Sequence, residues 1–569
     1  MTNDKRKIMI LLNSYSAKII INWFTIISGL CMTTLLLGNQ DKPYGEINLI
    51  LSLILLIIIS LRFNLLIRIY ASFKIRYALI ALLFSFVFAH YNKISPNNLL
   101  NVHPFKYLAF SVWTSFYDII TYVIVILGLF AIFSVWYTFF KIFIPLVIIF
   151  LKSFNKFEIQ YMMVSILLYS ILIVFVQTNT TAFFMPLVKN GSFIPSDIIY
   201  TADSGSHTFT NVNININASE NDLRQPLFAI FAMPFGIISK IISWALPFLP
   251  NSSFISTSII HLILMNLTYI MVSRMLNIRE TLKKLFLITT SITFPFALFS
   301  IVMEQYVIAT FWMIIFIFSS LNKKSNMTIF ALTGATGAML TSGILAPLLL
   351  LKKDFKITTV INYILNSLIL FISFTILSGQ VSHFIRFQNT MVRYKEFTGA
   401  IIPFISKLQQ FSSFVLSCFV YPDSSATFST RVLIDFSGAV VSYDLVPVYQ
   451  LISSGGINLG GVVIFILALI SFLINYKDVF ARICLFWVLF SFVILCVIGW
   501  GTAENGLVLY IVYFSWAFTS LIFLLFDKLF NKFPLLLVPI YFFSLIVILT
   551  FNIVGMYNII NFAIKFYPA

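Results

Sequence analysis

Apolar runs long enough to cross a bilayer recur along this chain from Ala17 to its last residues, and that recurrence restricts the fold more than any single motif. A hydrocarbon layer about 30 Å thick takes roughly 20 apolar residues per helix. Of the 569 residues, 60% are hydrophobic and only 10% are charged, far outside the usual fractions for a soluble domain. The pattern predicts an all-α, polytopic membrane protein. Its net charge of +17 does not indicate nucleic acid, because Lys and Arg stand in short clusters between apolar runs and form no basic face. Four cysteines show no metal or disulfide spacing, which argues against redox chemistry.

Lys and Arg clusters also orient the spans. With "KRK" in the cytoplasm, helices are expected at about 17–37, 47–67, 76–91, 117–150 (one helix or two) and 159–178. This register leaves a polar loop, "SDIIYTADSGSHTFTNVNININASENDLRQP", outside. The next stretch, 227–250, reads as helical segments on the outer surface broken at Pro234 and Pro247. Counting it as a span would invert every later loop. Helices at about 254–273, 283–302 and 305–321 follow, and then "GATGAMLTSG" inside 327–350 points to a partly inserted hairpin. A helix at 357–378 leads out to a second outer segment, and the last spans fall near 459–475, 482–500, 506–525 and 533–556. The expectation is about 13–14 helices with two large extracytoplasmic segments. The divisions are an amino-terminal block (1–157), a core (158–378) whose first outer loop covers 179–253, a second outer segment (379–458) and carboxy-terminal helices (459–569).

Ionisable groups at membrane depth are costly and mark function. On the outer side stand Asp197, Asp203, His207, Glu220, Asp222 and Arg224, with Glu304 in "SIVMEQYVIATFW" and Glu504 in "GWGTAENGL" at helix mouths. Carboxylates with an arginine suit a lipid-linked, phosphate-bearing substrate: a carboxylate serves as base on a hydroxyl, and Arg grips phosphate oxygens. The second outer segment adds "SHFIRFQNTMVRYKEF", with Arg386 and Arg393. It reads as an interfacial amphipathic helix or a clamp on pyrophosphate or anionic lipid. The alternation in "NVNININAS" fits a short strand or a flexible lid. Each residue also has a plainer role: Asp203 as a turn former, Asp197 as a helix cap, Arg224 as a side chain reaching for lipid headgroups.

From about Lys156 onward the order "ADSGSHTF", "RQPLFAIFAMPF", "SRMLNIRETLKK", "FALFSIVMEQY" and "GATGAMLTSGILAPLL" resembles the GT-C glycosyltransferases, most of all their protein-mannosyltransferase and aminoarabinose-transferase branch. The chain departs from that pattern by its long amino-terminal block, by lacking a tight Asp-X-Asp or Glu-X-Asp pair, and by a turn without the family's His and one Pro. The resemblance implies a polyprenyl-phosphate-linked sugar donor, a glycan, lipid or protein acceptor, and a place in the bacterial cytoplasmic membrane with the site facing outward. It implies Asp203 and Glu304 as catalytic and His207 and Arg224 as substrate-binding, and the direct reading of the outer segments and helix mouths adds Arg386, Arg393 and Glu504 as substrate-binding. No cofactor is expected, and neither a metal site nor a nucleic-acid partner is indicated. Two other classes fit parts of the pattern: an O-antigen polymerase- or ligase-like enzyme working through arginines in both loops, and a lipid or glycan transporter with His261 as its mid-membrane group.

Overall fold

The computed structural model describes residues 15–37, 44–92, 94, 114–183, 187–189, 192–194, 198–201, 224–351, 356–385, 398–434, 440–452, 456–503, 505–530 and 532–569. Among them, 10 helices are long and apolar enough to cross a membrane, or up to 11 if one bent pair counts as a span. The chain is therefore an all-α, multi-pass membrane protein. The shortfall against 13–14 comes from helices such as Ile75–Tyr91, Gln305–Leu321 and Leu459–Asn475, each of 17 residues. At 1.5 Å per residue these reach about 25 Å, a little under the hydrocarbon thickness.

The chain divides into two compact units, described separately. Unit 1 comprises residues 1–154, 212–237 and 369–386. It contains α1 (Tyr15–Leu37), α2 (Tyr44–Phe63), the short α3 (Leu65–Tyr70), α4 (Ile75–Tyr91) and α5 (Thr114–Lys152). Helix α5 runs unbroken for 39 residues through Pro145, which resolves the region 117–150 as one helix. Small residues let these helices close up. A Cβ at Gly128 would lie 2.3 Å from Leu35, and Asn22 donates to Asn64 across α1 and the α2–α3 junction.

Unit 2 comprises residues 155–211, 238–368 and 387–569. It begins with α6 (Lys156–Asn179) and a two-stranded turn, β1 (Leu187–Lys189) and β2 (Ser192–Ile194). Helix α7 (Phe228–Ala245) starts in unit 1 and ends in unit 2. It continues without a break through Pro234, and Pro247 lies beyond its end, so the expected break at Pro234 is absent. Proline removes one helical hydrogen bond, and a well-packed apolar helix tolerates that loss. A ladder of hydroxyls joins its last turns to α8 (Ser252–Met275): Ser239 to Ser256 and Thr257, Lys240 to Ser253, Ser243 to Ser252.

Helices α9 (Glu280–Ile292) and α10 (Phe294–Ile301) bend by 51° where Thr293 and Pro295 interrupt the ladder. After α11 (Gln305–Leu321), α12 (Ser325–Ala338) turns back into a 3₁₀ segment, Leu340–Leu351; Gly343 closes against Thr336, giving the hairpin its tight tip. Then come α13 (Ile357–Leu377), which passes into unit 1, the short α14 (Val381–Ile385) there, and in unit 2 α15 (Phe404–Ser417), β3 (Ser424–Ile434), β4 (Val440–Leu451), α16 (Leu459–Asn475), α17 (Val479–Ser491), α18 (Ile511–Phe530) and α19 (Pro534–Phe566). The stretch expected as an interfacial helix or clamp, 382–397, lies outside the described residues from 386 onward; beyond it the segment forms α15 and a long antiparallel hairpin. That hairpin joins β1 and β2 in a four-stranded sheet of order β1-β2-β3-β4.

The two ends of unit 2 differ chemically. One end is basic and gathers Arg274, Arg279, Lys283, Lys477, Arg482 and Lys528 at helix ends. At this end Glu158 completes a capping box with Asn155 and accepts two bonds from Arg274, at 2.8 and 2.6 Å; Asp527 pairs with Arg279 at 3.3 Å. The opposite end carries the sheet, seated on the last turns of α19 through Tyr449–Phe562 and a Tyr567 hydroxyl donated to the Pro447 carbonyl.

Candidate functional site

At the sheet-bearing end of unit 2 the chain leaves α10 in an extended conformation, and Glu304 caps α11, its carboxylate accepting from the Gln305 amide at 3.0 Å. The first turn of a helix offers unpaired amides and a positive dipole end, so a carboxylate is favoured there even with no solvent exposure. Gln305 is also buried, and its Oε1 has no hydrogen-bond partner among the described residues. Tyr306 follows, with its ring 5.0 Å from Tyr510 and 6.1 Å from Tyr513. Tyr513 is held from the hairpin by Ser342 at 2.5 Å.

Tyr510 belongs to the turn after α17, which is built around unusual backbone. A π-helical stretch, Phe492–Ile498, ends at Gly499, and Gly499 and Gly501 both adopt positive φ. At Gly499 a side chain would also strike Lys407, whose Cε lies 2.7 Å from an added Cβ; at Gly501 it would strike Tyr510. Glycine is needed at both on conformational and steric grounds. Trp500 donates to the Tyr510 hydroxyl at 2.8 Å, and Lys407, buried in α15, donates to the Ile498 carbonyl at 3.3 Å.

Three other segments end at this turn. Thr398 forms an isolated bridge with Trp500, and the Gly399 amide donates to Gly499 at 3.0 Å. Gln410 of α15 donates to Thr502 at 3.3 Å. Thr201 packs on Gly506, where an added Cβ would lie 2.5 Å from its hydroxyl. Tyr200 and Thr201 are both left-handed, with φ of 53° and 58°. Two such non-glycine residues in succession, one of them β-branched, mark a strained turn that its surroundings must hold. They do so through a parallel bridge of Ile199 with Tyr449, a Tyr200 hydroxyl donated to Ser424 at 2.8 Å, and a contact between the Tyr421 and Tyr449 hydroxyls.

Of the residues expected from sequence, Glu304 is fully buried in unit 2, and Arg224 is half-buried in unit 1 just before α7. Asp203, His207, Arg386, Arg393 and Glu504 lie outside the described residues, as do Asp197 and "NVNININAS". Thr201 is two residues from Asp203, Asn505 adjoins Glu504, and Thr398 is five residues from Arg393; all three stand at the 499–506 turn or against it. Sequence reasoning missed Lys407, although a signal existed: with Phe411, Phe414 and Val415 it falls on one stripe of an amphipathic helix, the buried one. His261 is buried near the middle of α8. Among the described residues no three His, Cys, Asp or Glu side chains gather as a metal site would require, and the four cysteines are buried and free. No known protein family, curated protein or solved structure matches this chain.

Proposed function

We propose that the chain is a membrane glycosyltransferase of the GT-C kind, moving a sugar from a polyprenyl-phosphate donor to an acceptor hydroxyl on an envelope glycan, lipid or protein. On this reading it sits in the bacterial cytoplasmic membrane with the sheet-bearing end outside. In a single displacement the acceptor oxygen bonds to the anomeric carbon, the bond from that carbon to the phosphate oxygen breaks, and polyprenyl phosphate leaves. Asp203 takes the hydroxyl proton, Arg224 with Arg386 or Arg393 steadies the leaving phosphate, and Glu304 orients the donor; His207 and Glu504 line the substrate.

One observation carries the reading. Thr201, Thr398 and Asn505, which lie two, five and one residues along the chain from Asp203, Arg393 and Glu504, belong to three segments far apart in sequence and meet at the turn whose Tyr510 packs on Tyr306, two residues beyond the buried Glu304. A site for group transfer needs such a gathering of polar segments at one helix-bundle mouth. Deletion of the gene tests it: an envelope glycan loses its modification while lipid and glycan flux across membrane vesicles is unchanged. Lost flux would favour a transporter. Alanine at Arg386 and Arg393 abolishing activity while Asp203→Ala is tolerated would favour a polymerase- or ligase-like enzyme.

A further inference from the structure

At the end of unit 1 where α2 passes through α3 into α4, Arg62, Arg68, Lys74 and Arg76 are exposed, and half-buried Lys141 approaches from α5. Aromatic packing draws them together. Tyr137 of α5 stacks on Tyr70 at 5.5 Å and on Phe73 at 5.4 Å, its hydroxyl accepts from the Lys74 amide at 2.9 Å, and the Tyr70 hydroxyl lies 2.8 Å from Ser134. Lys141 donates to the Ile69 carbonyl at 2.9 Å, while Arg76 lies 4.8 Å over the Tyr77 ring and Arg68 5.7 Å over Phe63.

None of these five cations makes an ion pair with a described carboxylate, whereas Arg274, Arg279 and Lys283 of unit 2 each have one. The sequence explains the difference. Between Glu46 and Glu158 the only acidic residue is Asp118; Glu46 stands in the first turn of α2 and Asp118 is the fifth residue of α5, each far along its helix from Arg62 and Lys141. The cations alternate with exposed apolar side chains, Leu61, Phe63, Phe73 and Ile75. A surface that offers unpaired positive charge and apolar contact at the same depth fits an amphiphile with a phosphate head, and fits a soluble anion poorly.

We propose that this end of unit 1 binds the phosphate of an anionic phospholipid headgroup, its acyl chains lying on Leu61, Phe63 and Ile75. The site is independent of the sugar-transfer reading. Native mass spectrometry of the full-length protein released from vesicles of equal phosphatidylglycerol and phosphatidylcholine tests it. The wild type is expected to retain phosphatidylglycerol in preference, about fivefold per contacting cation. R68Q/K74Q/R76Q is expected to lower the preference by about a hundredfold, and the charge-preserving R68K/R76K to keep it. Should the triple variant fail to fold, R68Q and R76Q singly are each expected to lower the preference about fivefold. Equal retention of the two lipids by the wild type, wild-type preference in the glutamine variants, or its loss in R68K/R76K would overturn the proposal. So would displacement of phosphatidylglycerol by millimolar inorganic phosphate, which would reassign the patch to soluble anions.

Discussion

Thr201 shows at the scale of one residue how this site is held. A β-branched side chain at φ 58° is strained, and Tyr200 at φ 53° precedes it, so the turn persists only because the Tyr449 bridge and the Ser424 bond hold it. Thr201→Gly removes the conflict with Cβ and is expected to stabilise the folded protein by about 1 kcal/mol. Thermal unfolding in detergent checks it, and a lower melting temperature would show that the Thr201 contacts outweigh the backbone strain. Glu304 was legible in the sequence because a lone carboxylate between two apolar runs stands out, and its role as the cap of α11 follows from the extended break before it. Lys407 was harder to see. Its charge reads as a topology marker, and only its phase with Phe411 and Val415 tells that it is buried.

Among the elements, the basic end of unit 2 depends on the Glu158–Arg274 pair. Glu158 is buried and bonded twice by the guanidinium, so Arg274→Met strands a carboxylate and is expected to cost about 3 kcal/mol, whereas adding Glu158→Gln is expected to recover part of that loss. Chemical unfolding of both variants measures it; equal losses would mean that the pair acts by packing alone. The sheet responds to pH instead. Burial pushes the Tyr200 and Tyr449 phenols up, and neighbouring Tyr421 adds to both shifts. Below pH about 10 both folded and unfolded chains keep these protons, so stability is level. Above it the unfolded chain releases them first, and stability falls as pH rises toward the folded values. Thermal unfolding is expected to be flat from pH 7 to 9 and to decline above about 10, with Y200F/Y449F reducing that decline; an unchanged slope in the double variant would contradict this assignment. The helices were readable because apolar length is a one-dimensional signal. The β3–β4 hairpin was not, because "SSATFSTRVLI" and "VVSYDLVPVYQL" alternate only weakly and each strand needs its partner to bury one face. Helix α7 was misread at Pro234 because a sequence shows the lost amide and hides the packing that offsets it.

The molecule as a whole is an all-α, multi-pass membrane protein whose chain divides into two compact units. Composition made that class plain. The meeting of distant segments at residues 499–506 was beyond it, since contacts such as Thr201 with Gly506 span some 300 residues and leave no periodic trace. On the proposed reading, the charge asymmetry of unit 2 puts its basic end in the cytoplasm. A cysteine at Ser425, in β3, is therefore expected to react with an impermeant maleimide on intact cells, and one at Lys283 only after permeabilisation; the reverse pattern would invert the topology and remove the outward-facing site. The central claim is sugar transfer from a polyprenyl carrier, and release of that carrier reports it most directly. The purified protein, reconstituted with lipid-linked sugars and acceptors extracted from its source cells, is expected to liberate free polyprenyl phosphate, detected by mass spectrometry. Glu304→Gln and Asp203→Asn are expected to slow release by about 10²-fold or more. Absence of release by the wild type, or release at the wild-type rate by both variants, would contradict it.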